Sequence, residues 1–229
     1  PAWRLRKSWA GGTTTMRTGG TISPYGDLSL KAAIAKGEVP GPDIDATAPY
    51  LNGPGLPILA MHTLADTADA VRTVNYWADE GSTSYKAYMH ITRDELKATV
   101  DAAHARGLKV TGHLCSVTYR EAVAAGIDNL EHGFAASTDF VKDKQPDLCP
   151  GQRQGMAALA ALDTSGATFK SLVADLVSHH VALTSTLTVF ETFTPGQPLP
   201  PGLDVLDPIL AQRFTQFHAT VQRDTQSVY

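Results

Sequence analysis

The sequence predicts an α/β fold in which helices flank a parallel sheet. Short β-branched segments alternate along the chain with longer segments whose apolar residues follow helical spacing, and most helical segments end at Gly. The 229 residues are 43% apolar and 18% charged, which is typical of a globular protein. Because strands that alternate with helices are joined by crossover connections, the sheet is expected to be parallel.

The first half of the chain contains three candidate strands and two candidate helices. Asp27 suits the N-cap of the first helix, and Gly37 suits its C-terminal stop. In chain order the predicted elements are a strand over 12–18, a helix over 27–36, a strand near 43–48, a helix over 64–80 and a strand over 83–89.

The second half continues the alternation. Thr92 and Glu95 form a capping box that opens a helix ending at Gly107. The elements that follow are a strand over 108–114, a helix over 117–125, a strand over 129–133, helices over 154–162 and 171–179, a strand over 181–189 and a helix over 204–223. A closed barrel needs eight strands and about 250 residues, whereas six strands are predicted here. A doubly wound open sheet is the alternative.

Charge and composition argue against several partners. A net charge of -4 and a pI near 6.0 do not favour a nucleic-acid or anionic-membrane surface. No apolar run reaches the roughly 18–20 residues of a membrane-spanning helix, and no GxGxxG or GxxxxGK[ST] motif indicates a nucleotide site. The two cysteines allow one disulfide at most. Cys115 is expected to be a small buried residue, and Cys149 to lie in a loop and pair, if at all, with a Cys elsewhere. The cellular compartment cannot be read from the sequence.

Single polar residues lie within three successive predicted strands. Lys86, His113 and His132 are spaced 27 and 19 residues apart, about one strand–helix unit each. In a barrel such residues lie on neighbouring strands near the C-terminal mouth, where active sites are built. A single strand His is more often a hydrogen-bonded structural residue, but two His and one Lys on consecutive strands favour a site.

Strand alternation places these residues on one face. Lys86 and Tyr88 share a face of their strand, and Thr111 shares a face with His113, while the opposite faces are apolar. The polar face would line the barrel interior, where an unpaired polar group is costly. A metal ion is a natural partner for two imidazoles. Burial would lower the pKa of Lys86, and a neutral amine can react with carbon dioxide to form a carbamate, an anionic oxygen ligand.

Four short motifs together resemble the amidohydrolase superfamily, with the imidazolonepropionase-related enzymes and Xaa-Pro dipeptidases as the most similar branch. Each motif is weak alone, but their order, spacing and intervening helices match the family over about residues 8–190. The motifs are GGTTTMR at 11–17, YKAY at 85–88, VTGHL at 110–114 and NLEHG at 129–133.

The resemblance implies a (β/α)8 barrel hydrolase that cleaves an amide, peptide or cyclic amide bond with a metal-bound hydroxide. By position, Lys86 resembles the carboxylated lysine on strand four that bridges two divalent ions, most typically Zn²⁺. His113 and His132 resemble metal ligands on strands five and six, and Tyr88 is expected either to contact substrate or to fill the barrel interior. The implied substrate is a small molecule or dipeptide-like, and such enzymes often form homo-oligomers.

The chain also departs from the family pattern. It contains no HxH pair, nothing after Thr186 resembles the strand that carries the catalytic Asp, and Arg17 is followed by Thr18 rather than by an acid. Residues 1–229 are therefore expected to form an incomplete barrel, about strands two to seven, in which no catalytic residue is assigned with certainty. The alternatives are a non-catalytic barrel fragment and the same fold acting as a lactonase, phosphotriesterase or deaminase.

One long segment, 135–167, follows the predicted strand that ends in His132 and is expected to form a substrate lid. Its polar residues are expected either to meet a substrate carboxylate or to be solvated, and they are Lys142, Lys144, Gln152 and Arg153. Glu131, next to His132, is expected either to orient that imidazole or to form a salt bridge.

Overall fold

The computed structural model describes residues 12–56 and 61–225. Gly11, the first residue of one family-like motif, and residues 226–229, which follow the last predicted helix, lie outside these ranges. Within the described ranges the chain forms seven strands, eight α-helices and two short 3-10 helices. In that part of the chain, no helix is both long and apolar enough to cross a bilayer.

Strands and helices alternate for most of the chain, as the sequence predicts. The strands are β1 (Thr15–Arg17), β2 (Asp43–Asp45), β3 (Thr47–Leu51), β4 (Ser84–Ala87), β5 (Lys109–Gly112), β6 (Asn129–Glu131) and β7 (Ala182–Thr184). The helices are α1 (Pro24–Ala35), α2 (Thr67–Asp79), α3 (Arg93–His104), α4 (Tyr119–Ala125), α5 (Gln152–Ala160), α6 (Ala167–Ser178), α7 (Leu187–Glu191) and α8 (Pro208–Val221). The 3-10 turns are Gly133–Ala136 and Leu203–Val205.

The strands run parallel, which confirms the predicted α/β class. Five of them form one sheet in the order β3-β4-β5-β6-β7, and β1 pairs with β2 in a separate sheet. A doubly wound sheet reverses its strand order at a switch point, whereas a barrel keeps sequence order. The observed order is that of an arc of a (β/α) barrel, and the described residues do not form a closed ring.

Two predicted strands differ from the structure. The segment 43–48 is two strands rather than one, because the chain leaves β2 at Ala46 and enters the five-stranded sheet as β3. The segment 181–189 is extended only as β7, and residues Leu187–Glu191 turn into helix α7. Since β7 is the last strand of its sheet, no further strand is present among the described residues to extend its pairing.

Capping explains where several helices start and stop. Thr92 and Glu95 exchange both hydrogen bonds of the predicted capping box, and Thr118 forms a second box at the start of α4. That helix ends at Gly126, whose φ of 89° suits a residue without a side chain. Helix α1 begins at Pro24 instead of Asp27, because proline is favoured in the first turn of a helix.

The two faces of the sheet have different roles. Tyr85, Val110 and Leu130 point toward the helices and are buried in the apolar core with residues such as Leu96 and Leu172. The opposite face carries Lys86, Thr111 and Glu131, which are also buried. Strand alternation therefore separates an apolar core from a polar interior, as the sequence pattern predicts.

Candidate active site

The centre of the polar interior is an ion pair between Lys86 on β4 and Glu131 on β6. Both side chains are buried, at 5% and 6% exposure, and the Lys86 ammonium donates a short hydrogen bond to Glu131 Oε2. The second carboxylate oxygen accepts hydrogen bonds of 3.0 Å from Arg17 Nη2 on β1 and from Thr111 Oγ1 on β5. Glu131 thus contacts side chains from three other strands.

These partners keep Glu131 ionised. Burial alone would raise the pKa of the carboxyl, but hydrogen bonds and charge from Lys86, with further hydrogen bonds from Arg17 and Thr111, hold that pKa below its usual value. Of the two interpretations of Glu131 from the sequence, the structure shows the salt bridge. The carboxylate Oε2 lies 4.0 Å from His132 Nε2, beyond hydrogen-bonding distance.

His113 and His132 lie beside this ion pair at the carboxyl ends of their strands. His113 follows β5, His132 follows β6, and their ring centroids are 4.3 Å apart. His132 has a φ of 69° and the next residue, Gly133, has a φ of 61°. Left-handed backbone is uncommon for a residue other than Gly or Asn, and such conformations occur often at functional sites.

Both imidazoles are held in the neutral form. Burial, the nearby His132 and the Lys86 charge lower the pKa of His113 to about 4. Burial and the Lys86 charge also lower the pKa of His132. His132 Nδ1 shares a hydrogen bond of 3.1 Å with Thr186 Oγ1. When Nδ1 donates this bond, Nε2 carries the free lone pair that a metal ligand needs.

Two tyrosines cover the Lys86 ammonium. Tyr50 and Tyr88 pack with ring centroids 4.7 Å apart, and Lys86 Nζ lies 5.8 Å and 5.9 Å from those centroids, within cation–π distance. Tyr88 also packs against His113, with centroids 5.0 Å apart. All four predicted site residues, Lys86, Tyr88, His113 and His132, therefore lie together.

A cavity of about 450 Å³ opens onto the two histidines. More than half of its lining residues come from the segment 135–167, which was expected to form a lid, and Val189 and Phe190 of α7 complete one side. The predicted cations Lys142, Lys144 and Arg153 do not line it. Lys144 Nζ instead donates to the backbone carbonyls of Ser116 and Gln145, at 2.5 Å and 3.1 Å.

A disulfide joins Cys115 to Cys149, with Cα atoms 4.9 Å apart. The expectation that Cys149 pairs with a cysteine elsewhere, and that Cys115 is a simple buried residue, is therefore wrong. The bond links the loop after β5 to the segment 135–167, and both cysteines line the cavity. Residues 34 positions apart meet here because the segment folds back over the end of the sheet.

Several contributors to the site were not predicted from the sequence. Tyr50 was not singled out, because the predicted strand near 43–48 ended before it, whereas β3 continues to Leu51. Thr186 was placed in a long strand, although its hydroxyl contacts His132. Among the described residues, no group of three or more His, Cys, Asp or Glu is arranged to hold a metal ion.

Comparison with known proteins identifies the fold. No family model matches the sequence, and no curated protein matches it either. Three similar solved structures are a prolidase candidate from Bifidobacterium longum (TM-score 0.61, 20% identity), a Xaa-Pro dipeptidase with bound methionine (0.60, 16%) and bottromycin amidohydrolase (0.58, 19%). They cover 94%, 96% and 95% of this chain.

The chain has an amidohydrolase-like fold. It spans about half the length of the similar structures, namely 49%, 52% and 50% of their chains. At these identities the likeness concerns the fold alone.

The disulfide is expected to stabilise the chain strongly. Cys149→Ser should lower the free energy of unfolding by about 3–4 kcal/mol, because the bond closes a loop of 34 residues in the unfolded chain. Urea denaturation with and without dithiothreitol measures this. Reductant should bring the wild-type protein to the stability of the variant and leave the variant unchanged. A loss below about 1 kcal/mol would contradict a structural role for the bond.

The free energy of unfolding is expected to fall as the pH is lowered from about 6.5 to about 4. In this window His113 binds a proton in the unfolded chain but not in the folded one, whose pKa is about 4. The loss should reach at most about 3 kcal/mol, at about 1.4 kcal/mol per pH unit. Denaturation at several pH values tests this, and His113→Asn should have a shallower slope. An identical slope in that variant would contradict the assignment.

Proposed function

We propose that this protein is part of a metal-dependent hydrolase that cleaves amide or peptide bonds. The observation that carries the proposal is the convergence of His113, His132 and Lys86 at the carboxyl ends of three adjacent strands in an amidohydrolase-like fold. Active sites of parallel barrels lie at this end. A prolidase candidate, a Xaa-Pro dipeptidase and an amidohydrolase among the similar structures support an amide substrate of small or dipeptide size.

The residues present fit part of a metal site. His113 and His132 would hold a divalent ion, most suitably Zn²⁺, because both are neutral and their rings are adjacent. A catalytic zinc ion has three protein ligands, so the pair needs at least one more. Lys86 would supply an oxygen ligand as its carbamate, and two ions would then share that group.

Each chain residue has a separate task in this proposal. Thr186 fixes the orientation of the His132 ring through Nδ1, and Tyr88 supports the His113 ring by edge-to-face packing. Arg17 and Thr111 hold Glu131 in place when Lys86 moves away. When bound, a divalent ion supplies Lewis-acid polarisation of a carbonyl and lowers the pKa of water.

A second candidate is a non-catalytic barrel unit. The observation in its favour is the Lys86–Glu131 ion pair, which satisfies the buried ammonium without a metal. A buried charge pair of this kind is costly to break. If the pair is permanent, the two imidazoles lack a third ligand among the described residues.

Zinc binding to tag-free protein distinguishes the two candidates. By isothermal titration, His113→Asn and His132→Asn should each weaken zinc binding by more than about 100-fold, which exceeds the typical effect of changing an outer hydrogen bond. Asn is a suitable replacement for His132 because it tolerates the left-handed backbone at this position. The matched control is His104→Asn, since His104 is exposed and paired with Asp128.

Two outcomes would contradict the proposal. One is wild-type protein that binds no zinc, and the other is a control variant that loses as much affinity as the site variants. Zinc binding at the site without zinc-dependent hydrolysis of a panel of Xaa-Pro dipeptides would favour the non-catalytic candidate.

A further inference from the structure

The cavity beside the two histidines has an unusually uniform lining. None of the described residues that line it is Asp, Glu, Lys or Arg. The remaining surface comes mainly from aliphatic, aromatic and sulfur-containing side chains, including Met89, Met156 and Val189. A volume of about 450 Å³ lies toward the small end of the range for ligand pockets.

The hydroxyl groups in this lining are already engaged by the protein. Ser137 Oγ donates to Asp139 Oδ2 at 2.9 Å, and Thr138 Oγ1 donates to the Cys115 carbonyl at 3.0 Å. Thr186 Oγ1 is bonded to His132 Nδ1 at 3.1 Å. Away from the two imidazoles, a polar or charged group that enters the cavity would therefore lose water without gaining an unengaged side-chain partner, which costs free energy.

The shape of the cavity is maintained on one side by the disulfide. Cys115 and Cys149 both line it, and their bond fixes the segment 135–167 against the loop after β5. Met89 and Met156 supply unbranched, polarisable side chains that adapt to ligands of different shape. The cavity is thus an apolar recess next to the proposed metal ligands. The disulfide holds its backbone on one side, and flexible methionine side chains form part of its lining.

We infer that this cavity takes an uncharged apolar side chain of leucine, methionine or phenylalanine size on the residue next to the scissile amide. The inference rests on the proposed function in that the cavity opens onto His113 and His132. It selects one class among amide substrates, because the lining offers acidic, basic and amide-bearing side chains no charged partner and no side-chain partner other than the two imidazoles assigned to the metal.

Binding without turnover tests the inference independently of the metal. The probes are N-acetyl amino acid N-methylamides that differ only in the side chain, measured by isothermal titration with the full chain in the presence of a chelator. The methionine probe should bind about tenfold more tightly than the glutamine probe, which has a similar shape but a polar end. The lysine and glutamate probes should bind no more tightly than the glutamine probe.

Helix α7 offers a matched pair of variants. Val189 lines the cavity and is 52% exposed, whereas Leu187 is 72% exposed and does not line it. Val189→Asp should weaken binding of the methionine probe about tenfold and strengthen binding of the lysine probe. Leu187→Asp should change the affinity for either probe less than twofold. Met156→Gln, a substitution of similar shape within the cavity, provides a second variant if Val189→Asp does not fold by circular dichroism.

Equal affinity for the methionine and glutamine probes, or equal effects of Val189→Asp and Leu187→Asp, would overturn the inference. These results do not depend on zinc. If the protein binds no zinc but still prefers the methionine probe, the absence of zinc binding refutes the proposed function, and the apolar specificity of the cavity stands.

Discussion

The polar interior of this protein depends on one buried carboxylate. Glu131 contacts Lys86 on β4, Thr111 on β5 and Arg17 on β1, so a single side chain connects three strands to its own. Removing one partner of a buried ion pair costs several kcal/mol because the other charge is left without compensation. This constraint keeps a lysine in the polar interior, directly beside two histidines. In the metal-bound form that we propose, Lys86 would have to leave Glu131.

The Lys86 charge also affects the protonation of the two histidines. The ammonium of Lys86 and the burial of both rings disfavour imidazolium, so His113 and His132 present lone pairs at neutral pH. The ion pair and the candidate metal site are therefore coupled. With Lys86 bound to Glu131 the interior is satisfied without a metal. With Lys86 carboxylated, as we propose for the active form, Glu131 retains Arg17 and Thr111 as partners.

Much of this arrangement could be predicted from the sequence, because strand alternation alone assigns Lys86, Thr111 and His113 to one face. The capping box at Thr92 is equally local and was also predicted correctly. Features that depend on the path of long segments were not predicted. The partner of Lys86 and the Cys115–Cys149 bond join residues 45 and 34 positions apart, and no local pattern encodes such meetings. The division of β2 from β3 was not predicted, because consecutive residues of one extended segment belong to two different sheets.

A crystal structure of the protein grown with zinc and bicarbonate tests the central claim most directly. Anomalous scattering at the zinc edge should show an ion about 2.0–2.1 Å from one nitrogen of each of His113 and His132, with the Lys86 side chain carboxylated and separated from Glu131. A structure in which Lys86 still pairs with Glu131, and in which no zinc lies between the two imidazoles, would contradict the account.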